Sequence, residues 1–587
     1  MNHPTICLNM IVRNEAHIVH EVLDCVAPYI SAWCIVDTGS DDGTQEIIRA
    51  HMARLGIPGE LHERPWRNFG HNRSEALELA AGRADYIWVV DADDLVIGTP
   101  DFSQLNADSC ELRYGPPDGF TYWRQQIFRD GLPWKYGGVV HEFIMCDQPF
   151  RIQRMLGDYH LDSRRLGGRN LDPQKYARDR DLLLTEVERD PEDSRSVFYL
   201  AQSYFDLGDF ANARRWYQRR AEMGGWDEEV YYSMLRVGES MLRLEEPWPS
   251  VQDAFLRAYE SRPTRAEALH AIACYYRQQN RFQLGHMYAK QAASIPVPAD
   301  DILFVWTGAH SWAALDEQAV CASQLGLHSE AFAICRQLLA GDKLAPADRV
   351  RVGVNRDFSV PAKLDIATAY PAGFIHALRP GPNADVTITV SCGSNLESAE
   401  ATLNSVLNSC TDRSRINRLL VDDSELADAE RTTLRLRYPM IESLDATFRE
   451  TPAARLRRLS DQVTTRFWLH IPGDWRFFAP ERLLSRLAGV LDAEPDVLAV
   501  AVNYEDAAAL TGRNAPEDIT SRGAGTGRYV LTKSMARGPV MMDTERLARV
   551  GGIDPAVGSI QTDLTERALA AGMRTATLDE VLCVSAG

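Results

Sequence analysis

Apolar and polar positions fall into three regimes along the chain. From residue 1 to about 165, short apolar runs alternate with helical stretches. Ile6-Cys7-Leu8-Asn9-Met10-Ile11-Val12 is short enough to be a buried strand, a helix pattern follows from Glu15 to about Tyr29, and Trp33-Cys34-Ile35-Val36 reads as a second strand. Asp37-Thr38-Gly39-Ser40-Asp41-Asp42-Gly43-Thr44 then gives a turn and a helix N-cap, and the helix runs to about Leu55. A further helix is expected over Asn72–Ala81 and a further strand over Tyr86-Ile87-Trp88-Val89-Val90. Strand–helix alternation predicts a parallel, Rossmann-like α/β sheet with helices on both faces. Ligands on such sheets bind at the carboxyl ends of the strands. Asp37 and the cluster Asp91-Ala92-Asp93-Asp94 both fall there.

The second regime, about 170 to 345, is helix-patterned and repetitive. Leu200-Ala201-Gln202-Ser203-Tyr204 with Gly208, Ala213 and Tyr217 is echoed by Ile272-Ala273-Cys274-Tyr275-Tyr276 with Asn280, Tyr288 and Ala289. Leu325-Gly326 with Ala331 echoes it again, and Gly238 and Ala254 fit a copy between. The period of about 36–40 is near the ~34 residues of tetratricopeptide repeats, in which small residues let paired helices approach and aromatics fill the groove. The third regime alternates strand and helix again, with Val386–Ser391, Leu419–Asp422 and Phe467–Ile471 as strands. The expected division is therefore 1–168 α/β, 169–345 an α-solenoid, 346–384 a Pro/Gly-bearing linker and 385–587 a second α/β domain.

Composition narrows the classes. Of 587 residues 45% are hydrophobic and 25% charged, as in globular protein. Lys and Arg total 63 against 82 Asp and Glu, a net charge of −19, so nucleic acid and anionic membrane surfaces are unfavourable partners. No run reaches the ~18 apolar residues of a spanning helix. The 11 cysteines are scattered without a CxxC pair, which reads as buried thiols in a reducing cytoplasm.

Asp91 and Asp93, two residues apart at a strand end, can both enter one cleft and hold Mg²⁺ or Mn²⁺, hard cations that take oxygen ligands. Alone, the triplet is also what a solvated turn looks like. Its surroundings add specificity: Met10-Ile11-Val12-Arg13-Asn14-Glu15, the Asp37–Thr44 segment, His71-Asn72-Arg73-Ser74-Glu75-Ala76-Leu77, Val89–Asp94 and Gly137-Gly138-Val139-Val140-His141-Glu142 stand in order. Together they resemble the inverting family 2 glycosyltransferases of GT-A fold over residues 1 to about 180.

The resemblance implies that Asn14, Glu15 and Asp37 cradle a nucleoside. It implies that Thr38 and Gly39 let backbone approach the nucleotide, and that Arg73 faces the base or the diphosphate. Asp91 would lie by the ribose or the metal with Ala92 beside it in the donor site, and Asp93 would hold the metal. His160 is the implied third metal ligand, with His141 as its competitor. For the general base, Glu142 ranks first and Asp94 second. Trp123, Phe128, Trp134 and Tyr136 serve equally as a sugar platform or as core.

Residues 386–587 resemble a second, divergent GT-A domain, through Leu419–Ser424, Gly538–Met542, Leu547–Asp554, Thr562-Asp563-Leu564 and Arg567. After Phe467–Ile471, however, the chain reads Pro472-Gly473-Asp474-Trp475, so only Asp474 remains of the acidic pair. A binding or association role is favoured over metal-dependent transfer. The whole is expected to move a sugar from a nucleotide diphosphate, a UDP-sugar first, to an acceptor. A peptide or protein docked on the repeats leads as acceptor, with surface glycans, small metabolites and modified nucleic acid behind it. A non-catalytic scaffold is the competing class, and a homo-oligomer is an open expectation.

Overall fold

The structure, a computed structural model, describes residues 4–116, 120–138, 140–164, 166–167, 174–341, 343–393, 395–444, 450–503, 521–522 and 527–586. Val139 and the expected boundary at 168/169 lie outside the described residues. The chain folds as two compact units, Met1–Glu317 and Gln318–Gly587.

The first unit opens with β1 (Ile6–Val12), α1 (Val19–Val26), β2 (Ala32–Asp37), α2 (Thr44–Leu55), β3 (Gly59–Glu63), α3 (Phe69–Ala80) and β4 (Tyr86–Val89). β5 (Asp94–Gly98), β6 (Ser109–Tyr114), β7 (Phe120–Arg129), β8 (Trp134–Gly137), β9 (Phe143–Cys146), β10 (Ile152–Arg154) and β11 (Tyr159–Ser163) follow. The sheet order is β3-β2-β1-β4-β7-β6-β11-β5, parallel through β4 and antiparallel at β7. β1 is flanked by parallel partners and buried along nearly its whole length, which is why it reads as a continuous apolar run. α1 is shorter than the expected Glu15–Tyr29: turns precede Val19, and Ala27–Tyr29, with Pro28, is a 3-10 helix. Val19, Val22, Leu23 and Val26 then face the sheet at helical spacing.

Seven helices continue the unit: α4 (Lys175–Arg189), α5 (Ser194–Asp206), α6 (Phe210–Glu222), α7 (Asp227–Arg243), α8 (Trp248–Ser261), α9 (Glu267–Gln278) and α10 (Phe282–Ala293). Each packs on the next along the array. The repeat residues do what their spacing predicts: Ala201, Ala213, Tyr217, Ala273 and Ala289 are buried, and Gly208 turns between α5 and α6 with φ 76°. Gly238 admits the Phe255 ring, which a Cβ would meet at 2.8 Å.

The array then returns to the sheet. A short strand, β12 (Val305–Trp306), pairs with β7. The preceding Phe304 stacks on Phe120 (5.3 Å) and lies against Tyr122, Phe198 and Tyr232. Fully buried Arg265 anchors the segment through Glu267, Asp301 and the carbonyls of Leu303 and Phe304. The helical array and the first sheet thus form one compact unit.

The second unit begins within α11 (Ala314–Gln324) and contains α12 (His328–Ala340), α13 (Pro346–Phe358) and α14 (Val360–Thr368). Of the expected 346–384 linker, the stretch up to Thr368 is helical instead. Pro346 and Pro361 stand in the first turns of α13 and α14, where proline's missing N–H costs nothing, so they start helices instead of breaking the chain into a connector. Phe332 and Val360 enter the core of the domain that follows.

That domain comprises β13 (Val386–Ser391), α15 (Leu396–Ser409), β14 (Ile416–Asp422), α16 (Asp428–Arg437), β15 (Ile441–Ser443), α17 (Pro452–Ser460), β16 (Phe467–Ile471) and β17 (Trp475–Phe477). It continues with α18 (Leu483–Ala493), β18 (Val497–Ala501), β19 (Ser521–Arg522), β20 (Tyr529–Thr532), β21 (Val540–Asp543), α19 (Thr544–Arg549), α20 (Ile560–Ala570), β22 (Arg574–Leu578) and β23 (Cys583–Ser585). Its sheet order is β15-β14-β13-β16-β21-β18-β22-β20-β19. The first seven positions repeat the first sheet in chain order and in strand direction, including the antiparallel insertion beside the fourth parallel strand. No helix among the described residues is long and apolar enough to cross a membrane, and no disulfide forms among them.

Candidate active site

The carboxyl ends of β1, β2 and β4 carry the expected residues. At β2 the buried Asp37 fastens its own turn. One carboxylate oxygen accepts from the Gly39 and Ser40 N–H groups and from Gln45 Nε2, each at 2.9 Å, and the other accepts from Ser40 Oγ at 2.5 Å. Gly39 needs glycine for its φ of 107°, and the space where a Cβ would stand is open, so backbone is exposed to an approaching ligand. Thr38 ties this turn to β1 through Val12 O. Asn14 closes the other side: its N–H donates to Ser40 Oγ and its Oδ1 accepts from Asp41 N. Glu15 N donates to Thr44 Oγ1. Asn14, Glu15, Asp37, Thr38 and Gly39 are therefore one locked ledge.

α3 delivers Arg73. Asn68 caps the helix by accepting from His71 N at 2.8 Å. Ser74 Oγ accepts from Tyr136 N at 2.9 Å, and Gly70 lies so close to β8 that a Cβ would meet Gly138 O at 2.7 Å. These contacts fix the helix end against β8 and aim Arg73 into the cleft. Its Nε donates to Glu142 Oε1 at 2.5 Å and its Nη2 to Asp91 Oδ1. Arg124, from β7, reaches Asp91 Oδ2 at 3.2 Å and Glu142 Oε1 at 3.5 Å. Two guanidiniums and two carboxylates thus interlock, with Arg73 and Glu142 side chains only 6% and 7% exposed. Arg73 Nη1 is a buried donor without a hydrogen-bond partner. Burial pushes the Asp91 and Glu142 pKa values up, but Arg73 and Arg124 outweigh it and hold both below the usual carboxylate range.

Asp94 is different. It is 1% exposed, and Tyr114 OH donates to its Oδ2 at 2.6 Å. Burial first, then the neighbouring Asp91 charge, raise its pKa to about 7, against the lowering effect of Tyr114. The folded state therefore favours protonated Asp94. Its stabilising contribution is complete below the unfolded value near ~4 and is lost as pH rises through about 7. Asp94→Asn, which keeps an acceptor for Tyr114, is expected to melt higher than the parent at pH 8 and to lose that advantage at pH 5. Thermal scans at the two pH values check it.

Three expectations change on this geometry. Asp91 is already paired with Arg73 and Arg124, so the acidic pair does not present two unengaged carboxylates to a cation. His160 does not reach Asp93: β11 runs antiparallel to β5 with Ser163 opposite Asp94 and His160 opposite Ile97, so Arg164 is the residue beside Asp93. Four extended residues separate His160 from that point, about 13 Å. His141, in a left-handed φ of 50°, stacks on Tyr199 of α5 at 3.9 Å, while its carbonyl accepts from Arg195. Among the described residues, neither histidine forms a three-ligand group with the acidic pair.

Asp93 lies beside Glu15 near Gly167. Asp93 Oδ2 accepts from Gly167 N at 3.1 Å, and a Cβ on Gly167 would lie 3.3 Å from Asp93 Oδ2 and 3.4 Å from Glu15 Oε1. This all-oxygen pair suits Mg²⁺ or Mn²⁺ chemistry. Trp134, Tyr136 and Phe128 are buried in one core cluster and are packing, not platform. Arg124, Arg195 and Tyr199 carry no sequence signal, because only the antiparallel pairing of β7 and the docking of α5 bring them here.

Residues 7–105 match the model of Glycosyl transferase family 2. Over 317 residues, 49% of this chain and 75% of the relative, the sequence is 24% identical to a TPR repeat-containing protein of Synechococcus elongatus. Among solved structures, a similar one is GalNAc-T7 with UDP, GalNAc and Mn²⁺, at 10% identity and TM-score 0.29 over 34% of this chain and 42% of that one. Another is the mannosyltransferase PcManGT from Pyrobaculum calidifontis with GDP-Man and Mn²⁺, at 18% identity and TM-score 0.27 over 40% of this chain and 68% of that one. This chain therefore spans less than half the length of the GalNAc-T7 structure. Residues 7–105 are thus similar to family 2 glycosyl transferases, and helical repeats follow in the same unit.

Proposed function

We propose that this protein is an inverting glycosyltransferase that takes a sugar from a nucleotide diphosphate, a UDP-sugar first, and passes it to a polypeptide held by α5–α10. One observation carries the reading: Asp37, Arg73, Asp91 and Asp93, within the segment that the family model matches, and Glu142, outside it, converge at the carboxyl edge of a β3-β2-β1-β4 sheet. In this reading the Asn14–Gly39 ledge seats the nucleoside. Arg73, whose Nη1 has a hydrogen bond left to give, and Arg124 meet the diphosphate. Asp93, with Glu15 beside it, would hold Mn²⁺ or Mg²⁺, which supplies positive charge to the departing diphosphate. Asp94 takes the acceptor proton, ahead of Glu142, whose carboxylate the two arginines occupy. The acceptor class is argued from a shared wall: Arg195 and Tyr199 of the first repeat hold the backbone and ring of His141, the residue before Glu142. The second unit we read as a divergent GT-A-like domain without an intact acidic pair, serving binding or association.

The test uses the full chain, a panel of UDP- and GDP-sugars, and thermal shift with and without Mn²⁺. A donor at 100 times its Kd raises stability by about 2.7 kcal/mol. The matching donor is expected to be hydrolysed slowly with Mn²⁺ present, and Asp93→Ala is expected to reduce that by at least about a hundredfold, ~2.7 kcal/mol of barrier. A panel with neither shift nor hydrolysis in the parent rejects the reading and leaves the scaffold class.

A further inference from the structure

We propose that His270, Cys274 and Glu317 form a binding site for a zinc-class divalent cation, Zn²⁺ or Co²⁺, which ties α9 to the start of α11. Neither the transferase reading nor the acidic strand ends enter into it. His270 and Cys274 stand four residues apart on α9, so their side chains share one helix face. Glu317 reaches the same point from the first turn of α11. Each residue offers one ligand atom, and these atoms all lie within 4.8 Å of one another, the one such group of three among the described residues.

The distances fit an ion. Cys274 Sγ is 3.5 Å from His270 Nε2 and 3.7 Å from Nδ1. With zinc bonds of about 2.3 Å to sulfur and about 2.0–2.1 Å to nitrogen at a tetrahedral angle, the two ligand atoms stand about 3.6 Å apart. The charges fit as well. A thiolate and a carboxylate bring two negative charges to a divalent ion, and the thiol proton leaves to solvent as the sulfur–metal bond forms. Sulfur and imidazole nitrogen favour Zn²⁺ and Co²⁺ over Mg²⁺, Ca²⁺ and Mn²⁺.

The surroundings hold the ligands in place. Trp306 of β12 sets its ring edge-on to His270 at 4.9 Å and walls that side. Packing around His270 lowers its pKa, against the raising effect of Glu317 and Glu267, so the ring is neutral and has a lone pair to give. Arg277, also on α9, donates from Nε to Glu317 Oε2 at 2.5 Å. Such an outer contact orients a ligating carboxylate, which keeps a second oxygen for the ion. α11 is entered through a five-residue π turn, Ala309–Ala313, a rare form that recurs at functional sites. All three ligand side chains are half-buried, so an ion can enter from solvent, and the fourth tetrahedral position is left to water or an added ligand.

The test uses the full chain, stripped with EDTA, desalted and kept in excess Mg²⁺ to fill oxygen-only sites. Co²⁺ is added and its absorption followed. One equivalent is expected to bring up a sulfur-to-cobalt charge-transfer band with the strong visible bands of tetrahedral cobalt, and one equivalent of Zn²⁺ to bleach both. Cys274→Ser should remove the charge-transfer band. His270→Gln and Glu317→Gln, checked for folding by circular dichroism, should each weaken Co²⁺ at least tenfold, while Asp93→Ala leaves it unchanged. If Cys274→Ser does not fold, alkylation of Cys274 in the parent, read by peptide mass, decides the same point, since bound Zn²⁺ should protect the thiol. A parent without the charge-transfer band overturns the proposal. So does a band that survives in Cys274→Ser and therefore belongs to another thiol, a Cys274 that Zn²⁺ does not protect, or an affinity that neither His270→Gln nor Glu317→Gln lowers.

Discussion

Arg73→Ala is expected to destabilise the first unit by about 3–5 kcal/mol at pH 7, the cost of stranding buried charge when one partner of an ion pair is removed. The guanidinium bridges Asp91 and Glu142 from a helix end that cannot move away, since Ser74 and Gly70 pin it to β8. Arg124 then faces two carboxylates alone. The sign with pH follows from the lowered Asp91 and Glu142 values. Their stabilisation is present above the unfolded values near ~4 and is lost as pH falls through the folded values. In the variant the two carboxyls, short of a cation, take up protons more readily, so its deficit against the parent shrinks between pH 7 and pH 5. Adding Asp91→Asn and Glu142→Gln is expected to recover most of the loss. Urea unfolding followed on the transition of the first unit measures each. A deficit under 1 kcal/mol, unchanged by pH, shows that Arg124 suffices for both carboxylates.

Which parts of this the sequence reveals follows from where the signals lie. β1, β2, β4 and β16 are central strands covered on both faces, so Ile6–Val12 and Phe467–Ile471 announce themselves as apolar runs. β3, Gly-Glu-Leu-His-Glu, is a half-exposed edge strand and has no such run. The acidic strand ends are legible because sheet topology puts ligands there whatever the side chains do next. What those side chains hold is not legible. Asp91 meets Arg124 across 33 residues through the β4–β7 pairing, and no local pattern encodes that register. The same ignorance of register misplaces His160: its position in the chain suits a late ligand, but the β11–β5 ladder carries it past Asp93.

The repeats show the opposite balance. Small and aromatic residues at fixed spacing are the packing itself, so Ala201, Ala213 and Tyr217 are buried as their period demands. Their docking on the first sheet depends on Phe304 and a two-residue strand, too short to read against the helical background. The prolines of 346–384 mislead for a physical reason. A proline at the first turn of a helix and a proline in a connector look alike until the residues after it are seen to pack, as Val360 does.

A pH–rate profile separates the two carboxylates offered as general base. With Asp94 in that role, kcat/KM is expected to rise with an apparent pKa near 7, the value that burial and the Asp91 charge impose on it. Asp94→Asn should cut kcat by about 10²–10⁴-fold, while the Tyr114 contact and the fold persist. The argument is one of basicity and of available lone pairs. Glu142 is ionised at every working pH, but Arg73 and Arg124 lower its proton affinity and engage its Oε1. Asp94 Oδ1 is buried with no hydrogen-bond partner, so it has a lone pair to offer an acceptor hydroxyl or thiol that enters beside it. If instead the rising limb lies below pH 5, with Glu142→Gln inactive and Asp94→Asn active, the proton goes to Glu142. Substrate binding must then draw the guanidiniums away, and the elevated Asp94 value reflects only its place against Tyr114.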